Sequence, residues 1–595
     1  MPAPEDHVTV TKGTVTVPSD VTIAALNFNT GIINSTNILT ITNLVWGNSP
    51  EVSNGSAAFN GAGRVVIPPQ GTLVFRGDSS CVMRTGVVEN LGRAVNATTR
   101  SLLLFHEAVF HNAGTFEIHT NFNFDGANGP PGGVLSNSGT LIVTGATTRV
   151  GFQTVTFHNS GRTEVSRGVF ACGSGSSVGP IDISLMATQQ VTGPNFTLGS
   201  GARFPGPGLF LHTRGTIDAG TNDFFFPNYR FELGRLTGTN TFVMSNFVWS
   251  GGEIAGSGLL RVPPDGTLNI VAGNNKTLSE RELRHEGSGI QGNPGVVGGL
   301  DVNLQSGGLF HNAGTLLTAG GYWFGGGPGP TRGFYKSGTL IRTNQFGETP
   351  FYAPITNAGR VVLAGGNLRM LLGYVQLAGS TELGPGTRLD SGFCQIRGGK
   401  LMGEGRITGS VVNYGDILPG NPVGTLEIQG SFTNYGRIFI ETSQSQGMRN
   451  DQINVTFNAR LGGTMSVCWR DMPPSAGFSA ISCGTRLGTF GRIDGLDLGR
   501  GWTLVPNYTP TGLSFALQPG GGAPLNHLSL TPCPDDAVHI RFTGTAGQTY
   551  EIEGTEDFVQ WTPLWQTNSP NGFISFLNDG AGEHPHRFYR AIQRP

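Results

Sequence analysis

The chain has 595 residues, 94 of them glycine; 13% are charged, 37% are apolar, and the formal charge is −2 with no Lys/Arg run. That balance excludes a nucleic-acid footprint. Glycine at this level without a Gly-X-Y period excludes collagen, and the regular apolar spacing argues against disorder. The length exceeds one ordinary core, a limit a solenoid escapes because its core grows along one axis.

The start, Met1-Pro2-Ala3-Pro4-Glu5-Asp6, is polar and lacks the apolar core of a signal peptide. If the protein is exported, a leader missing from this chain is expected. An Asn-x-Gly unit followed by a short alternating strand then recurs. It stands at Asn90 and Gly92, Asn112 and Gly114, Asn137 and Gly139, and Asn159 and Gly161, at spacings of 22, 25 and 22. A second block repeats the first at an offset near 200. Phe110-His111-Asn112-Ala113-Gly114-Thr115 returns letter for letter as Phe310-His311-Asn312-Ala313-Gly314-Thr315. Lys336-Ser337-Gly338 and Asn357-Ala358-Gly359 follow, with His285-Glu286-Gly287 ahead in the same frame. The unit continues at Asn413 and Gly415, then Asn434 and Gly436, 21 apart.

A spacing of 21 to 25 is one coil of a β-solenoid. Glycine is expected to supply a positive φ at each corner. The asparagine is expected to tolerate the bend and to stack on its equivalents as an amide ladder. Strands such as Thr115–His119 alternate inward and outward side chains, and no segment sustains a 3.6-residue period. The predicted organisation is a β-helix over 1–518, duplicated over about 20–200 and 220–400 and closed by terminal coils at 401–518. A Gly/Pro linker at 519–524 leads to a β module at 525–595.

The terminal coils change wording. Pro419-Gly420-Asn421-Pro422-Val423-Gly424-Thr425-Leu426 precedes Asp451-Gln452-Ile453-Asn454-Val455 and Leu461-Gly462-Gly463-Thr464-Met465. This succession resembles the closing coils of autotransporter passengers and related secreted bacterial β-helix proteins, over roughly Asn413 to Leu517. The resemblance implies a right-handed parallel β-helix with an antiparallel closing section. No membrane β-barrel translocator follows, so autotransport itself is not expected. The last seventy residues carry Gly547-Gln548-Thr549-Tyr550-Glu551-Ile552-Glu553, Asp557-Phe558-Val559-Gln560-Trp561-Thr562-Pro563-Leu564 and Phe588-Tyr589-Arg590. They resemble the small C-terminal β-sandwich of many large secreted proteins of environmental bacteria, which implies an accessory module without chemistry of its own. Tyr550, Trp561, Phe576 and Phe588 fall at inward strand positions, and Asp579 and Arg590 are placed to pair across the closing strands. The fold class is therefore all-β: a right-handed parallel β-helix followed by a small antiparallel β-sandwich.

Six cysteines are scattered without a CxxC pair, against a zinc ribbon or a disulfide scaffold. Cys468 and Cys483 flank an expected strand–loop–strand and are the candidate bridge; Cys533 and the others read as lone thiols. No stretch reaches the roughly 20 apolar residues of a membrane helix.

Because β-helices host polysaccharide lyases and hydrolases, paired carboxylates were sought. Asp218 and Asp223 sit in a Gly-Thr-Asn turn and read as a solvated loop. Glu280, Glu282 and Glu286 alternate with Arg281, Arg284 and His285, which reads as a self-neutralising exposed segment. His111, His158 and His311 precede the corner position, but gaps in that column make a poor ligand set. Asp125-Gly126-Ala127-Asn128-Gly129 lacks the repeated aspartates of calcium-binding arrays and reads as a loop. Trp46 and Trp249 recur beside apolar residues and are expected to be buried. Tyr322-Trp323-Phe324 interrupts the repeat and is the candidate ligand-contacting surface. No catalytic residue, metal or cofactor is expected.

The sequence thus points to a secreted, non-enzymatic extracellular or surface structural protein, adhesin-like, presenting a rigid solenoid to polysaccharide or to a cell-surface protein. A polysaccharide-active lyase or glycoside hydrolase and a rigid spacer for the C-terminal module are the alternatives.

Overall fold

The structure is a computed structural model. It describes all residues except 1, 48–54, 127–131, 146, 153, 293–300, 320–323, 327–332, 344–347, 421–422, 446–448, 500 and 521–524. Two compact units divide the chain: Met1–Gly314 with Gly325–Gly333, and Thr315–Phe324 with Phe334–Pro595.

The first unit is a parallel β-solenoid with three faces; most coils contribute three short strands, and in some, such as Thr241–Trp249, two faces are made by one longer strand. Val109–Asn112, Thr115–Ile118 and Phe122–Asp125 make one coil. They pair in parallel with Val134–Asn137, Thr140–Val143 and Arg149–Phe152 of the next. Strict alternation drives the pairing: Phe110, Phe116, Ile118, Phe122 and Phe124 point inward and are fully buried. Neighbouring coils then stack ring on ring; Phe124 lies nearly parallel to Phe152, with centroids 4.9 Å apart and planes 14° apart. Register offsets run from 18 (His7 to Ala25) to 29 (Asn43 to Thr72), wider than the spacing of the corners alone suggests.

The corner asparagines are inside. Asn90, Asn112 and Asn137 are fully buried, and Asn159 nearly so. The Nδ2 of Asn90 donates to Oδ1 of Asn112 at 2.7 Å, Asn112 to Asn137 at 2.7 Å, and Asn137 to Asn159 at 2.8 Å. The ladder ends where Asn159 meets Ser177 Oγ at 3.0 Å. It begins at Asn90 because Ile67, its neighbour in the preceding coil, cannot donate, and Asn90 Oδ1 has no partner. In the second copy His285 Nδ1 reaches Asn312 Oδ1 at 2.9 Å.

The corner glycines have a different reason from the one expected. Gly92, Gly114, Gly139, Gly161 and Gly314 all lie outside the left-handed region. Instead, a Cβ on Gly114 would stand 2.0 Å from the Gly92 carbonyl oxygen, and on Gly139 2.1 Å from that of Gly114. The corner backbones stack at contact distance, so bare backbone is required rather than unusual φ.

The two sequence copies do not occupy the same side. The column of Asn112 runs through Asn137, Asn159 and Ser177 to Leu198. From the strand Asn195–Leu198 it passes to Thr216–Asp218, Arg235–Thr237, Gly252–Ile254, Lys276–Ser279 and Val302–Gln305. Asn312 lies on Leu309–Asn312, the next strand in the chain and one face further round.

The second unit continues the three-strand plan in its own coils. Lys336 stands in the asparagine position, its Nζ donating to Asn357 Oδ1 at 2.9 Å and to Gly338 O at 2.7 Å. Asn413 donates to Asn434 at 2.7 Å. A Cβ on Gly359, Gly415 or Gly436 would again meet the preceding corner backbone, at 2.2, 2.5 and 2.1 Å. Antiparallel strands Trp502–Thr509 and Gly512–Pro519 close the coils, the latter pairing with Phe478–Gly488. Two three-stranded antiparallel sheets follow: His527–Pro532, Val538–Thr543 and Phe573–Asn578, then Thr562–Ser569, Gln548–Thr555 and Phe588–Arg594. They share a core of Ile540, Phe542, Tyr550, Ile552 and Ile574, against which Phe576 packs. Phe588 stays outside it, tilted by 35° against Phe558 with centroids 3.9 Å apart, and Trp561 lies under the Arg590 guanidinium at 4.1 Å. Arg590 pairs with Glu553 at 2.6 Å, not with Asp579.

Two expectations follow from the ladders. Asn137→Ala removes a buried donor and a buried acceptor from its neighbours and is expected to destabilise the surrounding coils by about 2–4 kcal/mol. Hydrogen exchange at coils 109–165, in wild type and variant, measures this. Lys336 is fully buried, and burial lowers its pKa from 10.5 to about 7. Between those values only the unfolded chain binds the proton, so stability falls as pH drops from 10.5 to 7 and stays low beneath. Lys336→Asn is therefore expected to unfold at higher denaturant than wild type at pH 7, with the gap closing as pH approaches 10.5.

Candidate binding face

The coils of the second unit present three strand faces of unlike chemistry. On one, Glu348 and Arg369 pair at 3.2 Å, Arg388 and Asp390 at 2.9 Å, and Arg406 and Glu427 at 2.6 Å. On another, Arg360 and Glu382 pair at 2.6 Å, and Lys400, Asp416 and Arg437 stand in register on successive coils. These pairs are surface-exposed and contribute little stability each. Their effect is to cover two faces with charge.

The remaining face carries no acid. Its outward residues are Thr356, Val375, Gln395, Val412 and Thr433, each in register with the next coil. The column continues from Thr433 to Arg460, and apolar side chains left in solvent line both edges, interrupted at one by Arg397, which donates to Gln395. Tyr352, Leu372 and Phe393 follow one another at one corner, and Leu377, Tyr414 and Tyr435 occupy the other, with exposures from 43% at Leu377 to 62% at Leu372. Tyr414 and Tyr435 stack at 5.1 Å with rings 18° apart, so they form one stiff aromatic ridge. Five strands at about 4.8 Å spacing and some four residues wide give a flat surface of roughly 300 Å². Apolar patches of that size on soluble proteins are commonly functional.

The sequence candidates fall elsewhere. Tyr322 and Trp323 lie outside the described residues. Phe324 is fully buried, stacked on Phe351 at 4.9 Å, and so cannot contact a ligand. Trp46 and Trp249 are core residues whose indole N–H groups donate to Ala57 O and Gly251 O. Asp218 accepts from Gly220 N, and Asp223 from Thr241 N of the following coil, so both carboxylates tie backbone. Glu282 pairs with Arg284 and Glu286 with Arg261. Arg281, expected outside, is buried and donates to the carbonyls of Ala255, Asn240 and Leu259. His111 and His158 share an outward column separated by Ser136, whereas His311 stands in register with Arg284. Asp125 accepts from Ser101, and burial raises its pKa. Among the described residues no group of three His, Cys, Asp or Glu could hold a metal ion, and no helix is long and apolar enough to cross a membrane.

The cysteine pairing is corrected. Cys468 bonds Cys533, 65 residues away, and Cys483 is a free buried thiol. Cys468 stands in register with Glu441 and Cys483 with Val455, on different strands of the coil, so their side chains leave the backbone from different faces.

The apolar edges are not visible in the asparagine and glycine pattern of the corners. The signal lay in the middle position of Asn413-Tyr414-Gly415 and Asn434-Tyr435-Gly436, and in Leu371-Leu372.

Fold and surface together define a β-solenoid protein with one acid-free face, edged mainly by apolar side chains and carrying Arg397 at one corner and Arg460 beyond Thr433. No family model and no curated protein matches the chain. Among solved structures, the crystal structure of the Haemophilus influenzae Hap adhesin is similar at 12% identity with a TM-score of 0.35. The alignment covers 83% of this chain, which spans only 64% of the Hap chain. The parallel registers, not this likeness, establish the solenoid.

Proposed function

We propose that the protein is a non-enzymatic extracellular or cell-surface structural protein that adheres to polysaccharide or to another protein through the acid-free face of its second unit. The observation that carries this reading is the contrast among the three faces: two carry acids and bases, paired or in register on successive coils, and the third combines neutral side chains at its centre with exposed aromatic and aliphatic edges. A flat face with neutral side chains at its centre and only the arginines Arg397 and Arg460 at its margin suits a neutral polymer or an apolar protein patch, since it presents no acids and no ion pairs to be broken on binding. The Cys468–Cys533 disulfide supports an oxidising, extracellular setting.

The test is surface plasmon resonance of the full chain over immobilised polysaccharides and cell-surface proteins. Leu372→Asp and Tyr435→Ala are each expected to weaken retention at least tenfold, while Arg406→Gln on a charged face leaves it unchanged. Retention indifferent to both face variants would remove the proposal. Release of reducing ends or unsaturated uronates from the same polysaccharides would replace it with an enzyme.

A further inference from the structure

A second feature of this unit lies where the C-terminal sheets meet the terminal coils. The contact is fixed by the Cys468–Cys533 bond and by Trp469, which meets His539 edge-on at 4.3 Å and lies under the Arg541 guanidinium at 5.0 Å. Arg541 in turn donates to Asp497 O and Thr531 Oγ1. Beside the disulfide opens a cleft of about 550 Å³, within the range of small-molecule sites.

One wall is the charged column of the coils, with Lys400, Asp416 and Arg437 on successive strands and Arg492 beyond. The other wall brings Asp535 and Asp536 from the 3-10 turn Pro534–Asp536, Arg587 from just before the last strand, and Tyr589 from within it. Leu418 and Phe439 give it an apolar base. Two of the cations are satisfied: Lys400 reaches Asp535 at 3.5 Å across the cleft, and Arg492 holds Asp494 at 2.6 Å. Four charged groups remain. Asp416, Asp536, Arg437 and Arg587 make no side-chain hydrogen bond or ion pair among the described residues. Burial raises the pKa of Asp416, with Arg437 and Lys400 opposing and Asp536 adding to the rise.

Two carboxylates and two guanidiniums sum to zero. An anion would satisfy the arginines and be repelled by the aspartates; a cation would do the reverse. The ligand that meets all four is itself neutral and offers both donors and acceptors. A hydroxyl group does both at once, and a sugar ring adds a C–H face for the half-buried Tyr589. We propose that this cleft is a saccharide-binding site, separate from the solenoid face, for a neutral, hydroxyl-rich ring.

Binding of the intact, oxidised protein to an array of neutral and acidic glycans, followed by calorimetric titration with the best neutral ligand and with glycylglycine as a zwitterion, tests it. Saturable binding of a neutral saccharide is expected, weakened at least tenfold by Asp416→Asn and by Arg587→Gln, and unaffected by Tyr435→Ala. Circular dichroism confirms that each variant is folded; Arg437→Gln replaces either one that is not. The proposal is overturned if only acidic glycans or glycylglycine bind, if no glycan binds, or if the cleft variants bind as wild type does. Loss with Tyr435→Ala alone would assign the saccharide to the solenoid face instead.

Discussion

The spacing between hydrogen-bonded strands, about 4.8 Å, governs this protein. Once each coil is zipped to the next at that distance, every inward side chain must lie against its counterpart one coil away. Buried amides satisfy this by bonding to their own kind, as Asn90, Asn112, Asn137 and Asn159 do. Phenylalanines satisfy it by ring contact, as Phe152, Phe157 and Phe170 do. Corners satisfy it by having no side chain at all, because the carbonyl of the previous glycine occupies the place a Cβ would take. A newcomer within the ladder can still meet the next amide, as His285 and Lys336 do at the expense of burying a titratable group, whereas Ser177 accepts from Asn159 and ends the run.

The coil was legible because this constraint is local and repetitive: an asparagine, one free residue and a glycine mark each corner, and alternation marks each strand. The reason for the glycine was not legible, since φ is a property of one residue while the clash involves a coil some 22 residues away. The same holds for cysteine. Cys468 and Cys483 are near neighbours in sequence, but the strand register puts them on different faces, and Cys533 arrives from beyond the closing hairpin. Burial of Trp46 and Trp249 could be read from their apolar neighbours. Phe324 could not, because its burial depends on Phe334 and Phe351, each brought against it by pairing rather than by sequence order.

The outside of a coil is free of the stacking rule, and there the faces of the second unit diverge. Alternating Arg and Glu or Asp on successive coils pair across the strands, which holds those faces polar and discourages apolar association. Where Val375, Gln395, Val412 and Thr433 take the outward places, nothing plays that role. The cleft beside Cys533 differs again: Lys400 and Arg492 are paired, whereas Asp416, Asp536, Arg437 and Arg587 make no side-chain hydrogen bond or ion pair among the described residues.

The duplicated segment is also out of phase with the coil. Asn112 and Asn312 belong to identical hexapeptides, but the intervening chain amounts to a whole number of coils plus one strand. In a three-sided winding, inheritance of a segment therefore does not mean inheritance of its outlook. The copy keeps its interior grammar and is turned to a new horizon, free to acquire a different exterior without competing with its parent for the same flank. A third tandem copy of equal length would turn once more, and only a fourth would look out in the original direction.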